Sequence, residues 1–207
     1  MSIYKDNLRS ILFDCCTLEL SRSILFQSAM FWADQGLKVT YFTPKELQGI
    51  PTLLHGTSLP GPEVLKLLQF VYVEDIQDLL SYLHRLVIKD KLPRAIFVDN
   101  LDAYCDLNRN VSCDKKGSLV CASFLNVINT CAEKYNLPVF FAACLSASYQ
   151  TLTMNPFNFF NVVWSSNSSC SELSKVPRYP NDCQVTLKLK FEQNKFCFKE
   201  IEKIFSK

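Results

Sequence analysis

The sequence predicts an α/β fold in which a mostly parallel sheet carries helices on both faces and is followed by a C-terminal antiparallel hairpin. Short runs that are apolar at every position alternate with amphipathic segments over residues 10–144. Such runs are typical of parallel strands that are covered on both faces. Residues 183–191 instead alternate between apolar and polar side chains, which indicates a hairpin strand with one wet face. The chain has 207 residues, 48% of them hydrophobic, and is expected to form a single domain over 1–207.

Strands and helices follow one another along the first half of the chain. Residues 21–35 carry apolar side chains at helical spacing, and Gly36 stands where helices commonly end. Residues 44–62 hold four prolines and three glycines, so they are predicted to form a loop. The predicted elements are strand 10–14, helix 21–35, strand 38–43, a short helix within 63–68, strand 69–73, helix 75–87 and strand 95–99.

The second half of the chain is predicted to begin with a polar loop and to end in the hairpin. Residues 165–182 are rich in Ser, Asn and Pro, which favours turns and predicts a mobile loop. The predicted elements are loop 102–117, helix 118–135, strand 139–144, strand 160–165, mobile loop 165–182 and hairpin 183–201.

Glycine is scarce in this chain. There are five glycines, whereas average usage would give roughly fourteen. Loops that cradle phosphate need glycine because the backbone must approach the anion closely. None of the five lies in the turn after the first strand, so an intact phosphate loop is not expected there.

Charge and cysteine content exclude several classes of protein. The net charge is +2, so any contact with nucleic acid must come from a local basic patch. Ten cysteines without a C-x-x-C pair, together with only two histidines, do not predict a metal site. The cysteines are expected to be reduced and to pack as small core residues of an intracellular protein. No signal peptide or membrane span is expected, since the longest apolar run covers only residues 138–145.

The turn after the first strand lies where P-loop proteins carry the motif G-x-x-x-x-G-K-[ST]. Aligned on the positive charge, Cys16 and Ser21 replace the two glycines and Arg22 replaces the lysine, while Ser23 supplies the hydroxyl. On this interpretation Ser21, Arg22 and Ser23 form a degenerate nucleotide site. No cofactor is certain for such a site, and ATP with Mg²⁺ is its candidate ligand.

Two other interpretations of this turn stay open. Cys16 and Arg22 have the C-x₅-R spacing of low-molecular-weight protein tyrosine phosphatases, in which the cysteine thiolate attacks phosphorus. Glu19 lies between them and would repel a phosphate, which argues against this enzyme. Alternatively the turn is scaffold only, with its cysteines in the core and Arg22 as a surface charge.

Asp99 ends the predicted strand 95–99, where P-loop proteins place a carboxylate that helps to hold Mg²⁺. This makes Asp99 the fourth candidate residue of the nucleotide site. Many buried strands end in Asp for another reason, because the carboxylate caps a helix or binds a loop. Both roles remain open for Asp99.

Basic residues concentrate in two segments that could bind DNA. Arg109, Lys115 and Lys116 lie in the predicted loop after Asp99, and Lys188 and Lys190 lie in the hairpin. They would neutralise phosphates with little base preference, or they are simply solvated surface charges. Aromatic side chains after residue 145 could stack bases or pack into the core. These are Tyr149, Phe157, Phe159 and Phe160.

The order of these motifs resembles the RecA-type recombinase core. That core has a P-loop after the first strand, an apolar strand ending in Asp, two DNA-binding loops after central strands, and an antiparallel C-terminal hairpin. More closely, most of the chain resembles the small, divergent RecA-type recombinase paralogues of Shu complexes. The matching stretches are 39–51 (VTYFTPKELQGIP), 56–58 (GTS), 67–72 (LLQFVY) and 95–104 (AIFVDNLDAY).

This resemblance implies a RecA-like P-loop core and an accessory role in homologous-recombination DNA repair in the nucleus. It implies binding to single-stranded DNA, to a SWIM-domain zinc-finger partner, and to the recombinase and its paralogues, with no membrane association. Known members carry an intact P-loop and are ATPases, whereas the first turn here has neither glycine nor lysine. We therefore expect DNA and partner binding with weak or no ATP hydrolysis, and the alternative is an active RecA-type ATPase.

Overall fold

The computed structural model describes residues 8–54, 56, 58–88, 93–104, 113–145, 155–179, 182–192 and 195–204. The strands are β1 (Leu8–Asp14), β2 (Val39–Thr43), β3 (Leu68–Tyr72), β4 (Ala95–Val98), β5 (Val139–Cys144), β6 (Val162–Ser166), β7 (Glu172–Lys175), β8 (Gln184–Glu192) and β9 (Lys195–Ile204). The helices are α1 (Leu18–Asp34), α2 (Pro62–Leu65), α3 (Ile76–Ile88) and α4 (Cys113–Tyr135), and Leu101–Tyr104 and Pro156–Asn158 form 3₁₀ turns.

These strands form one sheet in the order β3-β2-β4-β5-β1-β6-β7-β8-β9. Strands β1 to β6 pair with one another in parallel. Strands β7, β8 and β9 continue the sheet from β6, and each pairs antiparallel with the strand before it. This confirms the predicted α/β fold with a mostly parallel sheet and a C-terminal antiparallel hairpin. It also brings the carboxyl ends of β1, β2, β4 and β5 to one edge, where open sheets of this kind bind ligands.

Two apolar layers cover the parallel part of the sheet. Helix α1 packs on one face, where Phe97 lies in the core, and helices α3 and α4 pack on the other, where Ile96 and Val98 lie. All three side chains are fully buried. Because both faces of β4 are covered, its sequence is apolar at every position instead of alternating.

Two helices begin earlier than the sequence predicts. Helix α1 begins at Leu18 and not at residue 21, because the Thr17 hydroxyl accepts a hydrogen bond from the Leu20 amide (3.3 Å) and caps the helix. Helix α4 begins at Cys113, so the expected loop 102–117 is wrong over its last five residues. Gly117 lies buried inside this helix, where tertiary packing outweighs its poor helix propensity of about 1 kcal/mol. Gly36 follows α1 with φ of 79°, as predicted for a residue that ends a helix.

The expected mobile loop 165–182 contains regular structure. Strand β6 reaches Ser166 and β7 occupies Glu172–Lys175, so this expectation is wrong for both stretches. The carboxamide oxygen of Asn167 accepts hydrogen bonds from the Ser171 and Glu172 amides at 2.9 and 3.2 Å. The polar residues therefore close a tight turn between two strands. In the described part of the chain, no helix is both long and apolar enough to cross a membrane.

Candidate functional site

The first turn of the sheet is too short to wrap a phosphate. Only Cys15, Cys16 and Thr17 separate the end of β1 from the start of α1. In a P-loop the residues between the two glycines form an open loop whose amides point at the anion. Here three of the four corresponding residues, Leu18 to Leu20, are already helical. The cradle expected of a nucleotide loop is therefore not formed.

Backbone amides of this turn are bound by the chain's own side chains. The Cys15 amide donates to the Ser21 hydroxyl (3.3 Å), and the Cys16 amide donates to the Ser166 hydroxyl (2.6 Å). With the Leu20 amide held by its cap, three donors at the start of α1 already have protein acceptors. An incoming phosphate would have to displace these contacts.

A carboxylate also occupies this end of the helix. Glu19 lies in the first turn of α1, and its Oε1 accepts a hydrogen bond from the Thr52 hydroxyl at 2.8 Å. A negative charge interacts favourably with the positive end of a helix dipole. The same charge repels a phosphate, so phosphate binding at the N-terminus of α1 is unfavourable.

Arg22 and Asp99 form an ion pair at the edge of the sheet where the sequence predicts a site for a nucleotide's phosphates and Mg²⁺. Arg22 Nε donates to Asp99 Oδ2 over 2.7 Å, with the Asp99 side chain fully buried and that of Arg22 29% exposed. Asp99 follows the last residue of β4, and Arg22 lies on the second turn of α1. The structure thus brings together two residues that the sequence assigns to one nucleotide site, and it pairs them directly with each other.

Two more strands hold the Asp99 carboxylate. The Thr43 hydroxyl lies 3.2 Å from Oδ2 and the Cys144 thiol lies 3.4 Å from Oδ1. Burial, and then the Asp99 charge, raises the pKa of Cys144 well above its ordinary value, so this thiol is protonated and donates. The Asn100 amide donates to the same sulfur (3.4 Å) from a left-handed conformation with φ of 53°, which Asn tolerates. Sequence analysis did not include Thr43 or Cys144 among the candidate site residues, although both end strands at the edge where parallel sheets bind ligands.

Two buried tyrosines complete the surroundings of Asp99. Tyr41 and Tyr104 are both fully buried, and neither hydroxyl oxygen has a hydrogen-bond partner among the described residues. Burial and then the Asp99 charge raise both pKa values above the usual range. Their neutral phenols lie on the buried side of the ion pair near Asp99, and burial there strengthens the attraction between Asp99 and Arg22.

The two predicted serines serve the helix. Ser21 and Ser23 are buried, and the Ser23 hydroxyl donates to the Glu19 carbonyl at 2.7 Å. Neither side chain is available to Mg²⁺ in this arrangement. The residues present at the site therefore do not fit ATP with Mg²⁺. The Arg22 guanidinium and the Asp99 carboxylate bind each other, and the Ser23 hydroxyl is bound to the helix backbone. No cluster of metal-binding side chains occurs elsewhere among the described residues.

The cysteine phosphatase alternative is inconsistent with this geometry. It needs residues 16–22 to surround a phosphate, but most of that stretch is helical and Arg22 faces Asp99. Cys16 is joined instead by a disulfide to Cys170 in the β6–β7 turn, with the two Cα atoms 6.0 Å apart. The two cysteines are 154 residues apart in sequence, so no local pattern could have predicted the bond, and the expectation of reduced core cysteines is wrong for this pair.

Of the predicted DNA contacts, those in the hairpin are paired with acids. Lys188 Nζ lies 3.3 Å from Glu200 Oε2 and also contacts Glu202, while Lys190 pairs with Glu192. Hydrogen bonds to Glu202 and Glu200 raise the pKa of Lys188. The hairpin is therefore less basic than a count of its lysines indicates.

The structure describes the other predicted contacts only in part. Arg109 and Tyr149 lie outside the described residues, and Lys115 and Lys116 belong to the first turn of α4, with their side chains outside the description. Phe160 is buried and stacks on Phe141, with ring centroids 5.5 Å apart. Phe157 and Phe159 are half-buried against the same core, so these three rings pack and are not free to stack bases.

Comparison with known proteins places the fold. No protein-family profile and no curated protein sequence matches the chain. Among solved structures it is similar to the RadB recombinase, with a TM-score of 0.56, 13% identity, and coverage of 93% of this chain and 91% of that one. It is also similar to a solved ATPase domain, with a TM-score of 0.56, 10% identity, and coverage of 93% and 85%. A DnaB-like replicative helicase matches with a TM-score of 0.55, 11% identity, and coverage of 95% of this chain and 60% of the helicase. The chain therefore has the fold of RecA-like ATPase domains.

Proposed function

We propose that this chain is a non-hydrolysing accessory subunit in homologous-recombination DNA repair. It binds single-stranded DNA and a SWIM-domain zinc-finger partner in the nucleus and supports filaments formed by the recombinase and its paralogues. The fold supports this proposal at the level of the RecA-like core. The resemblance of residues 39–51 and 95–104 to Shu-complex paralogues supplies the partner and the pathway.

The observation that carries the proposal is the ion pair between Arg22 and Asp99. A RecA-type ATPase uses a lysine for the phosphates and an aspartate for Mg²⁺, which requires that both groups be free to meet the nucleotide. Here the two charges neutralise each other at 2.7 Å. Binding of ATP would have to break that pair and leave Asp99 buried beside a triphosphate. Losing even one positioned cation at a transferring phosphoryl group costs several kcal/mol of barrier, so hydrolysis is negligible.

DNA binding does not need a nucleotide site. Strands β4 and β5 are neighbours, and the segments 105–112 and 146–154 follow their carboxyl ends, which is where RecA-type cores carry DNA-binding loops. Arg109 lies in the first of these segments, and Lys115 and Lys116 follow directly at the start of α4. These three cations would neutralise successive phosphates without reading bases.

The test is single-stranded DNA binding with and without nucleotide. A labelled oligonucleotide is titrated with the full chain in complex with its zinc-finger partner, and fluorescence anisotropy gives Kd without nucleotide, with ADP and with Mg²⁺–ATP. The proposal expects the three values to agree within a factor of about two. A loss of affinity of about tenfold or more without ATP, or about 1.4 kcal/mol, would show that a functional nucleotide site controls the DNA site.

An ATPase assay on the same samples separates the alternative activity. A RecA-type ATPase would lose turnover in Arg22→Ala and in Asp99→Ala but keep it in Lys66→Ala, whose side chain lies in an exposed surface pair. We expect no turnover above that of the buffer in any of the four proteins. Turnover that both site variants abolish would replace the proposal with the ATPase.

A further inference from the structure

We propose that Cys16 and Cys170 are a redox-sensitive thiol pair, and that their oxidation closes a disulfide across the mouth of the degenerate nucleotide site. Cys16 lies in the turn between β1 and α1, and Cys170 lies in the turn between β6 and β7. This inference rests on the nuclear location proposed above, because disulfides in a reducing compartment are usually transient and serve as redox sensors. The pair would therefore be a site of reversible modification by low-molecular-weight disulfides, of which glutathione disulfide is the probe used below.

The backbone holds the two cysteines at a distance suited to the bond. Their Cα atoms are 6.0 Å apart, within the usual range for a disulfide. The amide of Cys16 donates to the Ser166 hydroxyl at 2.6 Å, which anchors the first turn to the end of β6. Two separate elements, the first turn and the β6–β7 turn, thus hold the two cysteines within bonding distance.

The turn that carries Cys170 is ordered by its own hydrogen bonds. The Cys170 amide donates to the Asn167 carbonyl at 3.0 Å, and Cys170 adopts φ of 53°. The Asn167 carboxamide nitrogen donates to the Ser171 hydroxyl at 2.9 Å. A cysteine in the left-handed region is uncommon. In this conformation Cys170 lies in the β6–β7 turn with its sulfur bonded to that of Cys16.

Accessibility distinguishes this pair from the core cysteines. Cys16 is exposed and Cys170 is half-buried. The thiols of Cys15, Cys121, Cys131 and Cys144 are buried, where a soluble disulfide cannot reach them. Cys183 and Cys197 are partly accessible but lie on β8 and β9 or next to them, away from the first turn. Cys183 is therefore the matched control for a general effect of thiol oxidation.

The chemistry is two successive thiol–disulfide exchanges. The thiolate of Cys16, the more exposed of the two, attacks one sulfur of glutathione disulfide, which forms a mixed disulfide and releases one glutathione thiolate that takes up the proton Cys16 lost. The thiolate of Cys170 then attacks the Cys16 sulfur, which forms the Cys16–Cys170 bond and releases the second glutathione. The two cysteines lose two electrons, and one glutathione disulfide becomes two thiols.

Closure of the bond ties the start of α1 to the β6–β7 turn. The amides of residues 15–20 would then exchange with solvent more slowly, since opening the first turn also requires moving β6 and β7. The pairing of β1 with β6 and the hydrogen bond from the Cys16 amide to Ser166 already hold the first turn beside β6, and the covalent bond adds a link to the β6–β7 turn. The pair thereby couples the redox state of the surroundings to the rigidity of the edge that carries Arg22 and Asp99.

Peptide mapping of the full chain tests the proposal. Samples are equilibrated with glutathione buffers from fully reduced to fully oxidised, free thiols are alkylated, and tryptic peptides are analysed without reduction. We expect a linked pair of peptides, residues 10–22 joined to residues 135–175, which appears with oxidation and disappears with dithiothreitol. Cys16→Ser and Cys170→Ser should each abolish it, and Cys183→Ser should leave it unchanged.

Each linked peptide holds two cysteines, since Cys15 shares a peptide with Cys16 and Cys144 shares one with Cys170. The single-substitution variants therefore identify which cysteines form the bond. In Cys170→Ser we expect glutathione to remain attached to Cys16. Alkylation of both Cys16 and Cys170 as free thiols in fully oxidised buffer would overturn the proposal. A peptide link that survives Cys16→Ser would also overturn it, since it would assign the bond to Cys15. Equal rates of hydrogen exchange over residues 15–20 in the oxidised and reduced chains would refute the proposal that the bond makes the first turn more rigid.

Discussion

Arg22 Nε and Asp99 Oδ2 lie 2.7 Å apart and form an ion pair across the edge of the sheet where a RecA-like domain binds its nucleotide. One charge comes from α1 and the other from the end of β4, and Asp99 is fully buried. The chain thus supplies its own counter-charges at this edge. Binding of Mg²⁺–ATP would have to break this ion pair, and the free energy of breaking it would offset the free energy gained from the new contacts.

Removing Arg22 should destabilise the fold more than removing the charge of Asp99. Arg22→Ala leaves a buried carboxylate without its partner, and we expect a loss of about 3 kcal/mol in the free energy of unfolding. Asp99→Asn should cost less, because the Arg22 side chain is 29% exposed and its charge can turn toward water. Urea unfolding followed by circular dichroism measures both changes.

An exposed ion pair provides the control for this comparison. Lys66 Nζ and Glu63 Oε1 lie 2.8 Å apart, but their side chains are 69% and 84% exposed. We expect Lys66→Ala to change the free energy of unfolding by less than about 1 kcal/mol. Equal effects of Arg22→Ala and Lys66→Ala would mean that the pair at Asp99 is not structural.

The cap of α1 makes a separate contribution to stability. The Thr17 hydroxyl accepts a hydrogen bond from the Leu20 amide at 3.3 Å, and this contact sets the start of the helix. Thr17→Ala should cost about 1 kcal/mol, and Thr17→Ser should restore most of it because the acceptor oxygen returns. Thermal unfolding of the three proteins measures this. A destabilised Thr17→Ser protein would show that the methyl group of Thr17, and not its oxygen, matters.

Buried thiols should make the protein sensitive to alkali. Burial raises the pKa of Cys15 from 9.0 to about 11, and that of Cys131 rises to about 11 for the same reason. The folded pKa exceeds the unfolded one, so this stability is fully present below about pH 9 and is lost as the pH rises through about 11. For Cys15 the loss is about 3 kcal/mol, or two pKa units.

Denaturant unfolding at several pH values between about 8 and 11 tests this linkage. Tyrosines and lysines titrate over part of the same range, so the comparison is between variants. Cys15→Ala should flatten the decline of stability with pH relative to the unaltered chain. Identical slopes in Cys15→Ala and the unaltered chain would contradict the assignment.

The hairpin lysines should matter less for DNA than the cations after β4. Lys188 and Lys190 contact glutamates, whose charge offsets theirs. Changing Arg109, Lys115 and Lys116 together to Ala should weaken single-stranded DNA binding and reduce the salt slope by about 2, at about 0.7 per phosphate. Changing Lys188 and Lys190 together should reduce the slope by less than about 1. Anisotropy titrations at several salt concentrations measure both, and the reverse order would place the DNA on the hairpin.

Oxidation of Cys16 and Cys170 should raise thermal stability. The bond closes a loop between residues 154 apart, for which the chain-entropy argument gives roughly 5 kcal/mol at most. The midpoint of thermal unfolding should therefore be higher in oxidised than in reduced buffer, and Cys170→Ser should remove the difference. A shift of equal size in Cys170→Ser would assign the stabilisation to other thiols.

Much of the fold could be predicted because its strands and helices have distinct local sequence patterns. Residues 95–98 are apolar at every position because both faces of β4 are buried, and residues 184–192 alternate because one face of β8 is wet. The order of these patterns is enough to predict a parallel sheet followed by a hairpin. The predictions were wrong at element boundaries that depend on a single contact. Examples are the start of α1, which the Thr17 cap determines, and the turn between β6 and β7, which Asn167 closes.

Sequence analysis identified two residues of the site but not the contact between them. Arg22 and Asp99 were each found by position, one in the first turn and one at a strand end. Their pairing could not be found, since they are 77 residues apart and meet through the order of β1, β2 and β4 in the sheet. The Cys16–Cys170 bond escaped for the same reason, because only the placement of β6 beside β1 brings the two turns together.

Calorimetric titration of Mg²⁺–ATP into the full chain, with the proposed zinc-finger partner present, tests the central claim most directly. The ion pair between Arg22 and Asp99 predicts no saturable heat and no shift of the unfolding midpoint by the nucleotide. Saturable binding that Asp99→Ala abolishes would contradict it, because Asp99 would then be available to Mg²⁺ and the first turn would be a working nucleotide loop.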